Sequence, residues 1–193
     1  MNKEQCSACK NTTQSTTGIF VQIKQDYQFL CINCYNDMMA ESLGIDFDNI
    51  SFNPITLKDS DEVEHTFIFQ TRLLGYQVII EAKELRDDDS EGYQFSVLGD
   101  VDDDLFNLFK VLFERIRRAL SQKHIEASDL TQYRITDQDI VRGYITCSSE
   151  GDREHPLIVI DGKEIEWHEF GRMLSTYEGF NFKLDIFDKT EEK

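Results

Sequence analysis

Two Cys-x-x-Cys pairs constrain this chain more than anything else in it. Cys6-Ser7-Ala8-Cys9 is followed, after a gap of 21 residues, by Cys31-Ile32-Asn33-Cys34. A zinc ion takes four soft ligands in a tetrahedron, and two such knuckles supply them with little loss of chain entropy. The competing uses of four thiols are disulfides or free cysteines. Residues 1–18, MNKEQCSACKNTTQSTTG, contain no apolar signal core, so a reducing cytoplasm is expected, where paired thiols bind metal more readily than they oxidise. The expectation is one structural Zn2+ on Cys6, Cys9, Cys31 and Cys34.

The residues between the pairs support that reading. In Gly18–Lys24 (GIFVQIK), Ile19, Val21 and Ile23 alternate with Phe20 and Gln22, QDY turns, and QFL returns to Cys31, which predicts a hairpin. After Cys34, YNDMMAESLG predicts a short helix with Met38, Met39 and Leu43 facing inward and Gly44 ending it. Knuckle, hairpin, second knuckle and helix resemble the treble-clef zinc fingers, the group that includes the GATA and LIM fingers, over residues 6 to about 44. Four thiolates close the coordination sphere and leave no place for water, so the metal is expected to be structural rather than catalytic. The DNA-reading members of that group carry Arg and Lys around the helix. This helix offers Asp37 and Glu41 instead, so direct nucleic-acid binding is not expected.

Charge points the same way. The chain of 193 residues has 37 acidic against 20 basic residues, a formal net of −17. Residues 1–53 carry −3 of this, leaving −14 for residues 54–193. Duplex binding is driven by Lys and Arg displacing counterions, which such a surface opposes. The acidity means solubility first, and a protein partner with a basic surface second. Hydrophobic residues at 40% allow a real core, and no apolar run is long enough for a membrane helix.

Beyond the finger, residues 46–60 are expected to form a linker and 61–193 an acidic α+β domain. His65–Leu85 predicts two strands with a break near Leu74-Gly75, and Gly92–Asp100 a third. Asp102–Ser121 is the strongest helical pattern: Leu105, Phe109, Leu112, Ile116 and Ala119 or Leu120 share a face, widened by Phe106 and Phe113. Asp102, Asp103 and Asp104 at its start, with Arg115, Arg117 and Arg118 near its end, suit the helix dipole. The Asp triplets at 87–89 and 102–104 lack the spacing of a calcium loop, so capping and solvation are expected of them. QYRIT and DIVRGYITC predict strands, and EGDREH a turn. Asp161-Gly162 between apolar runs predicts a type I′ hairpin. Trp167–Gly179 predicts a second main helix with Trp167, Phe170, Leu174 and Tyr177 on one side. A closing strand is expected over FNFKLDIFD, with Phe180, Phe182, Leu184 and Ile186 inward, and the tail KTEEK is expected to fray. The sequence does not decide whether FNFKLDIF is an edge strand pairing across a dimer, so the oligomeric state stays open. The class is α+β: a small four-cysteine treble-clef zinc finger followed by a mostly antiparallel sheet with two main helices.

The C-terminal run containing VIDGKEIEWHEFGRML resembles the ending of an uncharacterised bacterial family, in which a Cys-x-x-Cys finger precedes an acidic domain. The resemblance implies a bacterial cytoplasmic protein and no particular activity.

No catalytic residues are identified. His168-Glu169-Phe170-Gly171-Arg172 opens like the zincin motif, but Arg172 stands where the second histidine must be. Neither a phosphate-binding glycine loop nor a Gly-x-Ser-x-Gly elbow occurs. Cys147 with His124 or His155 is more readily a core cysteine than a nucleophilic pair. His65 and His155, each beside acidic residues, suggest solvated pairs. Three functions stay open: a non-enzymatic protein–protein interaction or adaptor module, favoured here; an acidic regulator imitating nucleic acid on a basic nucleic-acid-binding protein; or an enzyme with an unrecognised site.

Overall fold

The computed structural model describes residues 3–23, 26–88, 90–129, 131–147 and 155–191. The turn expected over EGDREH lies largely outside these, as does the start of the QDY turn. The fold is α+β, as expected, and every strand pairing with a defined register is antiparallel.

The chain begins with two short paired strands, β1 (Lys3–Gln5) and β2 (Thr12–Gln14), on either side of the first knuckle. The hairpin β3 (Gly18–Ile23) and β4 (Asp26–Cys31) pairs Gly18 with Cys31 at its open end. That pairing needs a glycine, because a Cβ at Gly18 would run into the Phe29 ring and lie 2.5 Å from the Leu30 carbonyl oxygen. Helix α1 (Ile32–Leu43) starts directly from Cys31 and ends at Gly44, whose φ of 67° and ψ of 32° place it in the left-handed region. The expected inward residues are displaced: Asn36 and Ala40 are buried, one turn apart, while Met38, Met39 and Leu43 are only partly covered.

Residues 45–54 carry no regular structure, and Ile55–Lys58, within the segment expected as a linker, forms strand β5. It begins a four-stranded sheet ordered β5-β6-β7-β8, with β6 (Glu64–Leu74), β7 (Gln77–Glu84) and β8 (Gln94–Asp100). The break between β6 and β7 falls at Gly75, with φ of 65°. Val78, Ile79 and Ile80 are all buried, giving β7 the continuous apolar run of a strand covered on both faces.

Helix α2 (Leu105–Leu120) buries Leu112, Ile116 and Leu120 at helical spacing. Asp104 caps it: its Oδ1 accepts the Phe106 N–H at 2.8 Å. Phe109 stacks on Phe52 at a centroid distance of 4.1 Å and meets Phe69 of β6 edge-on at 4.9 Å.

The remainder holds a pair of short strands, β9 (Ile125–Ala127) and β10 (Tyr133–Ile135), and a three-stranded sheet of β11 (Gly143–Cys147), β12 (Pro156–Ile160) and β13 (Lys163–Glu166). The predicted Asp161-Gly162 turn is present, both residues having positive φ (50° and 68°) as a type I′ turn requires. Helix α3 (Trp167–Leu174) covers a cluster of Ile125, Ile135, Ile158, Ile160 and Ile165 with Met173, aided by Phe170 and Tyr177. Two members of its expected inner face, Trp167 and Leu174, are instead exposed, because the buried position is Met173.

The expected closing strand does not form. Residues 180–188 have no regular structure, and Phe180, Phe182, Leu184 and Ile186 are exposed rather than inward, Phe182 by 90%. Alternation alone cannot form a strand without a neighbouring edge to bond to. Of the tail expected to fray, residues 192–193 lie outside the described residues, while Lys189–Glu191 is a held turn of 3-10 helix in which Arg115 donates twice to the Thr190 carbonyl at 3.2 Å.

The chain divides into two compact units. One comprises Met1–Pro54, Ile68–Ala82 and Ser96–Leu112; the other comprises Ile55–Phe67, Lys83–Phe95 and Phe113–Lys193.

Candidate metal centre

The four cysteines singled out in the sequence converge. Their Sγ atoms all lie within 4.8 Å of one another, although Cys9 and Cys31 are 22 residues apart.

Each knuckle is set by local bonding. In the first, the Cys6 carbonyl accepts the Lys10 N–H at 3.0 Å, and the Cys6 N–H donates to the Asn11 carbonyl at 2.9 Å. The turn closes through Lys10 at φ of 64°, a left-handed conformation that costs an ordinary side chain about 1 kcal/mol or more. Lys10 is held there by its Nζ, which donates to the Ser7 carbonyl at 2.8 Å, and by Gln5 Nε2, which donates to the Lys10 carbonyl at 3.1 Å. The Ser7 N–H donates to the Phe29 carbonyl at 2.8 Å, fastening this knuckle to the hairpin. The second knuckle opens α1: Cys31 is the N-cap residue and Cys34 lies in the first turn, where the helix dipole favours negative charge.

Electrostatics separate the four thiols. Burial raises Cys6, but backbone N–H groups around it outweigh burial and bring it down to about 6; one of them is the Cys31 N–H, 3.3 Å from Cys6 Sγ. Burial pushes Cys31 and Cys34 up, aided by neighbouring thiols. The backbone N–H groups thus favour a thiolate at Cys6, while burial opposes one at Cys31 and Cys34, an opposition that a bound cation would offset. Cys9 Sγ and Cys31 Sγ are 3.8 Å apart, far beyond the ~2.05 Å of a disulfide. The set can hold a metal ion.

The other candidate residues do not assemble into chemistry. Cys147 is exposed on β11, and His155 is exposed. His124 is buried and committed, with Nδ1 2.9 Å from the Ile140 carbonyl and its backbone N–H on Asp161 Oδ2 at 2.7 Å. His168 lies 3.0 Å from Glu166 on an exposed surface, with Arg172 one turn further along α3.

His65 departs from the solvated pair expected of it. Its side chain is 11% exposed, its Nδ1 lies 2.7 Å from Glu84 Oε1 and its Nε2 3.5 Å from Asp59 Oδ2. The bond to Glu84 raises His65 above its usual pKa against the opposing effect of burial. Burial raises Glu84, but the His65 bond and the Tyr93 N–H (2.9 Å) outweigh it and leave the carboxyl low. The imidazole thus lies between two carboxyl groups, and its bond to Glu84 favours its protonated form. Glu84 lies 19 residues from His65, so no local sequence pattern could reveal the pair.

Asn36 is the other site that sequence reasoning missed. It is 1% exposed and bonds three groups outside its helix: Nδ2 donates to Asn49 Oδ1 and to the Thr71 carbonyl, and Oδ1 accepts the Leu73 N–H, each at 2.9 Å.

Fold and site thus define an α+β chain with an N-terminal four-cysteine cluster able to bind metal. Three family models match it in succession, each described as a domain of unknown function: DUF7685 over residues 5–46, DUF7686 over 48–121 and DUF7713 over 124–191. The first spans the cysteine cluster and α1. No curated protein and no solved structure matches the chain. Among the described residues no helix is long and apolar enough to cross a membrane.

Proposed function

We propose that Cys6, Cys9, Cys31 and Cys34 hold one structural Zn2+, and that the chain is a non-enzymatic interaction or adaptor protein of the bacterial cytoplasm. The observation that carries the metal assignment is the convergence of four Sγ atoms from two knuckles. A tetrahedron with metal–sulfur bonds of about 2.3 Å has edges of about 3.8 Å. The Cys9–Cys31 separation of 3.8 Å fits that edge without rearrangement. A bound Zn2+ would supply the positive charge that lets all four thiols ionise. With four protein ligands it offers no position to a substrate, so its contribution is to folding.

The adaptor reading draws on the chemistry of the rest. The net charge of −17 suits a partner with a basic surface, and α1 presents Asp37 and Glu41 with no basic residue. His65 and His168 are held by carboxylates and His124 by backbone, which are structural roles.

The test is metal stoichiometry on purified protein together with thermal unfolding before and after chelation. One zinc per chain and a fall in Tm on chelation are expected. A metal-free protein with unchanged Tm would overturn the assignment.

A further inference from the structure

The exposed segment Phe180–Phe187 has properties that an unused tail would not have. It is tethered at both ends. Upstream, the Tyr177 hydroxyl donates to Asp139 Oδ1 at 2.8 Å, and the Phe180 N–H donates to the Tyr177 carbonyl at 3.0 Å. Downstream, Lys189 Nζ reaches Gln94 Oε1 at 2.9 Å and lies 4.0 Å from the centre of the Tyr144 ring. Between these anchors five large apolar side chains stand in solvent: Phe180 70%, Phe182 90%, Leu184 71%, Ile186 73% and Phe187 57% exposed.

Among the described residues, none of Asn181–Phe187 makes a backbone hydrogen bond. Lys183 and Asp185 pair at 2.9 Å, so two residues separated by one share a side, as in an extended chain. The segment is therefore a strand in pattern, with its backbone donors and acceptors unspent.

We infer that this segment is the contact through which two copies of the chain associate, pairing antiparallel about Leu184. Three arguments favour a second copy. In that register Lys183 of each copy faces Asp185 of the other, giving two opposite-charge pairs, whereas parallel pairing would set like charges opposite each other. Residues 180–187 carry no net charge, so the −17 of the whole chain is not concentrated at the contact. Phe180, Phe182, Leu184 and Ile186 share one side and offer on the order of 600 Å² of apolar surface per copy, at the top of what ordinary monomers leave open, and this register sets Phe182 of each copy against Ile186 of the other.

Sedimentation velocity on the full chain tests this. The wild type should show a concentration-dependent dimer. Asp185→Lys and Leu184→Lys, both at exposed positions, should each raise the dimer dissociation constant about tenfold or more while leaving the circular dichroism unchanged. Combining Lys183→Asp with Asp185→Lys restores opposite charges across the pair and should restore the dimer. A monomer throughout, a dimer indifferent to these substitutions, or a double reversal no better than Asp185→Lys alone would overturn the inference. So would slowed amide exchange over residues 181–187 in a protein shown to be monomeric, because the segment would then be pairing within its own chain. Metal content should not change in any variant, so a failure here is separate from a failure of the zinc assignment.

Discussion

Asn36 of α1 bonds the backbone of β6 as a neighbouring strand would: its Oδ1 accepts the Leu73 N–H at 2.9 Å while its Nδ2 donates to the Thr71 carbonyl at 2.9 Å. Both backbone groups flank Arg72 and would otherwise be orphaned against a helix. Asn36→Ala leaves that donor and acceptor unpaired in a buried place, each costing about 1–3 kcal/mol. A loss of about 3 kcal/mol in urea unfolding is expected. Asn36→Asp should do no better, since it replaces the donating amide with a carboxylate facing the Thr71 carbonyl. A cost below about 1 kcal/mol for Asn36→Ala would show that water takes over both partners.

Asn36 stands two residues after Cys34, so the second cysteine knuckle and the bond to β6 share the first turns of α1. With a metal ion held by the four cysteines as proposed, its release should free the helix start, and the effect should reach β6. Cys34→Ser should abolish metal binding, lower Tm, and speed amide exchange at Leu73. Faster exchange confined to residues 5–34 would show that α1 stays docked without the metal.

The cysteine site was legible in the sequence because its spacing is local and its chemistry leaves few alternatives. Elements whose signals are also local were legible too: the Asp161-Gly162 turn, the Gly44 stop, the capped helix α2. What sequence could not reveal depends on what each residue meets. Asn36 reads as an ordinary helix polar residue until Thr71 and Leu73 arrive beside it. The alternation of Phe180 to Ile186 predicts burial, but alternation specifies only that a chain can lie on a surface, not that one is present. The size of Trp167 favours an inward place, yet the narrower Met173 occupies the covered position instead.

The turn residue Asp161 has a second task that the hairpin pattern does not disclose. Its Oδ2 accepts the His124 N–H at 2.7 Å and the Ile125 N–H at 2.9 Å, fixing the start of β9 from the tip of the β12–β13 hairpin. Asp161→Gly keeps the backbone conformation but loses both bonds. Asp161→Asn keeps an acceptor oxygen and tolerates the left-handed region. Thermal unfolding should therefore rank the variants with Asn close to wild type and Gly about 2 kcal/mol lower. Equal stability for the two would mean that only the turn conformation matters.

The His65–Glu84 pair should make stability depend on pH in a predictable direction. His65 has a raised pKa in the folded chain, so its contribution is complete below the unfolded value of about 6.5 and is lost as pH rises through the folded value. Glu84 has a lowered pKa, so its contribution is complete above an unfolded value of about 4.3 and is lost as pH falls through the folded one. The pair is at full strength between those limits and weakens on the alkaline side as the imidazolium loses its proton. Arg86, 3.5 Å from Glu84, stays charged there and moderates the loss. Urea unfolding across the range from about pH 5 to 9 should show wild-type stability declining on the alkaline limb. His65→Gln should be less stable by about 2–3 kcal/mol near neutral pH, because it leaves a buried carboxylate short of its counter-ion, and it should flatten that limb. A variant that retained the same alkaline decline would place its origin in another group.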